Sequence, residues 1–134
     1  MNNTETKTNS NEIESFKLTV EKAKEIKDGL YPITIDRVTL NPSGQFGPSL
    51  VWYVTAKVDG SNIQLSALTG ANLTVGSTGA SRAYTWVKAI SGKVPVIGED
   101  FDFNTLKGKT AQGMIKNEEK DGRKYAKLKD IIAK

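Results

Sequence analysis

The chain has 134 residues, a formal net charge of +4 at pH 7, and neither cysteine nor histidine. A chain of this length favours one domain that buries roughly two thirds of its unfolded surface, so it needs no metal or disulfide to fold. The two missing residue types exclude disulfides, thiolate nucleophiles, most zinc centres and imidazole general bases.

Residues 1–14 are almost entirely polar and read as a disordered tail, leaving residues 15–134 as the domain. The tail lacks the apolar centre of a secretory signal. No apolar run of about 18 residues occurs anywhere, so no membrane partner is expected. The expected compartment is the cytoplasm, that of a host if the protein is viral. Phe16, Leu18 and Val20 alternate before the polar EKAKEIKDG, a pattern open to a short strand or one helical turn.

GLYPITIDRVTL is the first clear strand: Tyr31, Ile33 and Ile35 share one face, whereas Val38 and Leu40 carry the apolar residues on the opposite parity. A β-bulge at Asp36 and Arg37 would produce that slip and bend the strand. NPSGQFGPS follows as a loop. In LVWYVTAKV, Leu50, Trp52, Val54, Ala56 and Val58 form the better core face, opposite Val51, Tyr53, Thr55 and Lys57. Asp59-Gly60 then marks a hairpin into IQLSALTG, with Ile63, Leu65 and Ala67 inward and Gln64, Ser66 and Leu68 outward.

NLTVGSTG reads as a loop with Ser81 as a helix N-cap. Ala83, Trp86, Val87 and Ile90 then have the spacing of an amphipathic helix that Gly92 would end. Phe101, Phe103 and Leu106 would pin the following connector to the core. A second hairpin turns at Asp121-Gly122, with Ala111, Gly113 and Ile115 facing Ala126, Leu128 and Ile131. The order is three strands, a helix and two strands, the arrangement of the OB-fold, an all-β five-stranded Greek-key barrel with one helix between strands three and four. A five-stranded sandwich with a loose helix is the structural alternative.

Charge position says more than its total. Residues 107–134 hold nine basic and four acidic side chains, so the remainder of the chain sums to about −1. A concentrated positive field suits an anionic partner.

Three stretches, DGLYPITIDRVTL, FGPSLVWYVTAKVDG and FDFNTLKGKTAQGMIKNEEKDGRKYAKLKDI, together covering much of residues 28–132, resemble the small OB-fold single-stranded DNA-binding proteins of phages, plasmids and some archaea. The resemblance implies a protein that coats and protects single-stranded DNA, without strong sequence preference, during replication, recombination or repair. It implies no catalysis and no cofactor. It departs from bacterial relatives at the C-terminus, where KLKDIIAK replaces a flexible acidic tail, so any recruitment of replication or recombination proteins would run through another element such as the N-terminal tail. An RNA-binding OB-fold and an OB-fold scaffold for protein contact are the alternatives, and a homo-oligomer is compatible with all three.

Single-strand binding needs cations along the phosphates and flat side chains against the bases. Tyr53, on the outer face beside Lys57, is the foremost stacking candidate, with packing beneath a loop as the alternative. Phe46 stands in a loop flanked by Gly and Pro and would either clamp a base or tuck back. Trp52 joins the set although its parity is that of the core face. In the last hairpin Tyr125, Lys127 and Lys129 share one parity, which suits a nucleic-acid strand or a lysine-protected edge. Lys116, Arg123 and Lys124 flank the turn, and Arg37 faces outward at the bulge. Glu99, Asp100 and Asp102 lack ligand spacing and read as a solvated loop, so no metal is expected. No glycine-rich stretch completes a phosphate-binding loop with Lys and Ser or Thr, and no constellation suggests an enzyme.

Overall fold

The computed structural model describes residues 15–22 and 25–134. The tail expected over 1–14 lies outside those residues. Within them are β1 (Gly29–Asn41), β2 (Ser49–Val58), β3 (Ser61–Gly70), β4 (Val75–Gly76), β5 (Gly79–Ala80), α1 (Arg82–Ser91), a 3-10 turn (Phe103–Leu106), β6 (Thr110–Lys120) and β7 (Arg123–Ile132). Five of the strands form one antiparallel sheet in the order β3-β2-β1-β6-β7, and β4 and β5 form a separate two-residue ribbon. The ribbon occupies what the sequence suggested was a plain loop. Phe16, Leu18 and Val20 are exposed and belong to neither a strand nor a helix.

The long β1 is the organising strand. Its first half pairs with β6 (Gly29 opposite Ile115 through Thr34 opposite Thr110), and Ile33–Asn41 pair with β2. Serving two partners requires a bend, and the register shifts between Ile35 and Arg37. This is the bulge that the apolar phase slip foretold: Ile33 and Ile35 are buried before it and Val38 packs against the core after it. Leu40, next to the end of the strand and paired with Leu50, stays 62 % exposed.

Both hairpins turn on Asp-Gly. Asp59 and Gly60 have φ of 50° and 80°, and Asp121 and Gly122 have 54° and 74°. Positive φ at both central residues of a two-residue connection is the turn whose twist matches the flanking strands, and it fixes each register.

The helix α1 packs chiefly against the two edge strands, β7 and β3. Ser81 caps it, its side chain accepting from the Tyr84 N–H, and Gly92 ends it at a φ of 73°. The helix buries Ala83, Trp86, Val87 and Ile90. Trp86 meets Trp52 edge to face at 5.2 Å between ring centroids, and Phe103 packs on the other side of Trp52 at 5.9 Å. Leu106 is fully buried, so the connector is pinned as its sequence implied.

The described residues are thus mostly β with one α-helix, the five long strands and the helix following the order expected. The closed barrel is not seen. Edge strands β3 and β7 come within 8 Å of one another, yet no ladder joins them among the described residues. The helix binds β7 through one backbone group and one side chain. Arg82 donates from Nη1 to the Lys129 carbonyl at 2.9 Å, and the Trp86 indole donates to Asp130 Oδ1 at 2.8 Å. The Lys129 carbonyl, so occupied, has less to offer β3.

Candidate nucleic-acid interface

The strand registers assemble the outer face of β1–β3. Arg37 stands opposite Tyr53, and Tyr53 opposite Ser66. The Arg37 guanidinium lies over the Tyr53 ring, 4.0 Å from its centroid. One step along, Thr39, Val51 and Leu68 form the next row, and Leu68 is 67 % exposed. On the other side, Thr55 donates to Asp36 Oδ2 at 2.8 Å, so the bulged aspartate is held beside the row. Lys57 is exposed opposite Asn62.

Phe46 projects from the β1–β2 loop and is 96 % exposed. The loop is tightened from within: Ser43 N–H donates to Asn41 Oδ1 at 3.1 Å, and Gly47 N–H donates to the Gly44 carbonyl at 3.0 Å. A side chain at Gly44 would meet the Gly47 carbonyl at 2.3 Å, so glycine permits this close turn. Phe46 does not tuck back onto the core.

Between β3 and β7 runs an open cleft of about 1000 Å³, bordered by Gln64–Leu68, the hairpin tip, Tyr125–Lys129, Arg82 and Trp86. Ser66 and Leu68 belong both to the rows across β1–β3 and to this cleft, so the two surfaces meet along β3. Tyr125 is 44 % exposed at its border. Lys127 and Lys129 share the border, but both are paired with Glu118, Lys127 Nζ at 3.3 Å from Oε1 and Lys129 in direct contact with Oε2.

The sequence candidates therefore separate into four places. Arg37, Tyr53, Lys57 and Phe46 belong to the β1–β3 face and its loop. Tyr125, Lys127 and Lys129 belong to the adjoining cleft. Arg123 and Lys124 border another groove, shared with residues 20–22 and 25–28 and reached by Tyr125 as well. Lys116 and Lys124 both act on the Asp28 carboxylate, which places them beside that segment. Trp52 has to be withdrawn: it is wholly buried, and its indole N–H donates to Thr69 Oγ1 at 2.9 Å. Its inward parity on β2 and its two aromatic neighbours leave no face for a base.

Three contributors escaped the sequence reading as site residues. Leu68 and Ser66 were legible only as outward positions of β3, and nothing local tied them to the far hairpin. Glu118 was legible in principle, because a two-residue turn at Asp121-Gly122 sets Glu118 opposite Tyr125 and diagonal to Lys127. Among the described residues no cluster of three or more acidic side chains is arranged for a metal ion, and Asp102 instead caps the 3-10 turn by accepting from Asn104 N–H at 2.9 Å. No described helix is long and apolar enough to cross a membrane. No protein-family model matches the chain, and no curated protein matches it.

Proposed function

We propose that this is a single-stranded DNA-binding protein of OB-fold type, which holds the strand across β1–β3 and into the β3–β7 cleft and catalyses no reaction. The sheet order with β1 central, and one helix between the third and fourth long strands, supports the Greek-key reading. One observation carries the functional reading. A cation-capped ring, Arg37 over Tyr53, stands in a row that opens through Ser66 and Leu68 onto a cleft bearing a second exposed ring, Tyr125, and two lysines. Rings spaced along a groove with cations beside them suit bases that stack in any sequence and phosphates that need neutralising. Such a protein coats and protects strands exposed in replication, recombination or repair.

The test is a fluorescence-anisotropy titration with labelled oligo-dT, oligo-rU and duplex DNA at about 50 and about 200 mM salt, the range over which phosphate contacts change affinity most visibly. Oligo-dT should bind most tightly and lose affinity at the higher salt. Tighter binding to oligo-rU would make RNA the ligand. Absence of binding to either single strand at the lower salt rejects the proposal.

A second reading, protein contact, is favoured by a different surface. Val94, Val96 and Ile97 are 58, 60 and 83 % exposed in the segment after α1. Exposed apolar side chains gathered in one short stretch suit a partner protein. A chain that binds no nucleic acid but loses self-association or partner capture on Val96→Glu with Ile97→Glu would support that reading.

A further inference from the structure

Resting on the nucleic-acid reading, we propose that Glu118 is a built-in phosphate surrogate: its carboxylate holds Lys127 and Lys129 in the β3–β7 cleft, and a phosphate of the bound strand takes its place.

The hairpin geometry creates the arrangement. The Asp121-Gly122 turn fixes Glu118 opposite Tyr125, one diagonal step from Lys127. On β7 the register then slips, Leu128 pairing with Ile115 and Asp130 with Met114, so that Lys129 is the extra residue of a bulge. Leu128 and Ile131 can therefore both be buried, and Lys127 and Lys129 converge on one carboxylate.

Charge explains why an anion belongs there. Lys127 lies directly opposite Lys116, and like charges facing each other across a ladder repel. In the free protein Glu118 relieves that repulsion. Glu118 matches a phosphodiester in the features the lysines read, a single negative charge shared between oxygens that accept ammonium hydrogen bonds. It is also readily displaced, because the pairs are solvent-exposed, with side-chain exposures of 39 % for Glu118 and Lys129 and 57 % for Lys127. Exposed pairs of this kind contribute at most about 1 kcal/mol. The carboxylate's ion pairs are with the two lysines, while Arg82 donates to the Lys129 carbonyl and lies over the Trp86 ring. Release of Glu118 would leave both lysines to the strand and clear the space across from Tyr125.

The experiment compares Glu118→Gln with Glu119→Gln, a neighbouring carboxylate that also borders the cleft but stands opposite Lys124 and pairs with neither Lys127 nor Lys129, by anisotropy with a fluorescein-labelled dT oligomer. Removing any nearby negative charge helps an anion bind, and Glu119→Gln measures that general field. Glu118→Gln should bind about fivefold tighter than the native chain at about 50 mM salt, and Glu119→Gln less than about twofold tighter, because only Glu118 stands at contact distance from the lysines. Lys129→Gln should weaken binding in the native and the Glu118→Gln backgrounds alike. Equal gains from Glu118→Gln and Glu119→Gln, or no gain from Glu118→Gln, overturn the inference while leaving the functional proposal standing. Failure of the native chain to bind the oligomer removes both. Melting curves of the variants guard against a folding artefact: both glutamates are partly or fully exposed, and a Glu118→Gln chain that melts well below the native one without binding more tightly assigns Glu118 a purely structural role and also overturns the inference.

Discussion

Arg37 covers the outer side of Tyr53, its guanidinium carbon 4.0 Å from the ring centroid, and the two residues face each other across the β1–β2 ladder just after the β1 bulge. The bulge makes this pairing available, because without it Arg37 would share the buried parity of Ile33 and Ile35. A guanidinium stacked on a ring is held flat at little entropic cost, leaving edges that donate to phosphate. In the proposed complex a base takes one part of the Tyr53 surface while Arg37 keeps another. Tyr53→Ala should lose about 1–3 kcal/mol of oligo-dT binding, roughly 5- to 150-fold. Tyr53→Phe keeps the ring and should stay within about threefold of the native chain. Equal losses in the two variants would assign the effect to the hydroxyl and remove the stacking role.

Burial of both tryptophans sets the spectroscopic expectation. Trp52 and Trp86 are 0 and 1 % exposed, and each indole N–H already has a partner, Thr69 and Asp130 respectively. Saturating oligo-dT should therefore change tryptophan emission very little, and acrylamide should quench it weakly with or without DNA. Any optical signal of binding should come from tyrosine. Trp52→Ala should destabilise the fold by about 3–5 kcal/mol, the range for removing a buried aromatic, and impair binding only to the extent that it unfolds the chain. A Trp52→Ala protein that melts like the native one yet fails to bind would return Trp52 to the interface.

Much of the fold was legible because local signals agreed with one another. Asp-Gly at 59–60 and 121–122 fixed two hairpins, alternation fixed the buried faces of β2 and β6, and the change of apolar spacing at Ala83, Trp86, Val87 and Ile90 marked the helix. Barrel closure was not legible, since whether β3 and β7 pair is a long-range matter, as are the contacts of Arg82 and Trp86 with β7, 47 and 44 residues apart. The candidate site was half legible. Outward parity identified Tyr53, Lys57 and Arg37, but parity does not say which outward faces adjoin. The cleft between the two edge strands brings β3 beside the last hairpin, although the sheet order sets them at opposite ends, and Lys116 and Lys124 lie toward Asp28 instead.

Gly113 tests how tightly β6 sits against β1. It is paired with Tyr31 and Ile131, and a Cβ built there would lie 2.8 Å from Ile33 Cγ2 and 2.8 Å from Leu128 Cδ1. Both neighbours are buried, so neither can swing into solvent. Gly113→Ala should cost about 1–3 kcal/mol by overpacking. That corresponds to a melting temperature lowered by roughly 4–15 °C. An unchanged melting curve would show that the core yields at this layer more easily than its packing implies.

Asp28 fastens the segment before β1 to β6, and its charge gives that fastening a pH dependence. One carboxylate oxygen accepts from the Asn117 backbone N–H at 2.8 Å and from the Asn117 side-chain amide at 2.9 Å, while the same amide donates to the Ile26 carbonyl at 2.6 Å. The backbone hydrogen bond chiefly, then the side-chain one, holds the Asp28 pKa below its ordinary value; desolvation opposes them, and Lys116 and Lys124 add smaller attractions. A carboxyl that is more acidic when folded binds protons more tightly in the unfolded chain. Its stabilisation is complete above the unfolded pKa of about 3.9 and is lost as the pH falls through the lower folded value. The native chain should therefore lose stability as the pH falls below about 4 more steeply than Asp28→Asn, which has no carboxylate there to protonate. Urea midpoints measured across that range for both proteins provide the check. Parallel curves would mean that the Asn117 contacts are replaced by water at no cost, and that Ile26 is held in place by its packing alone.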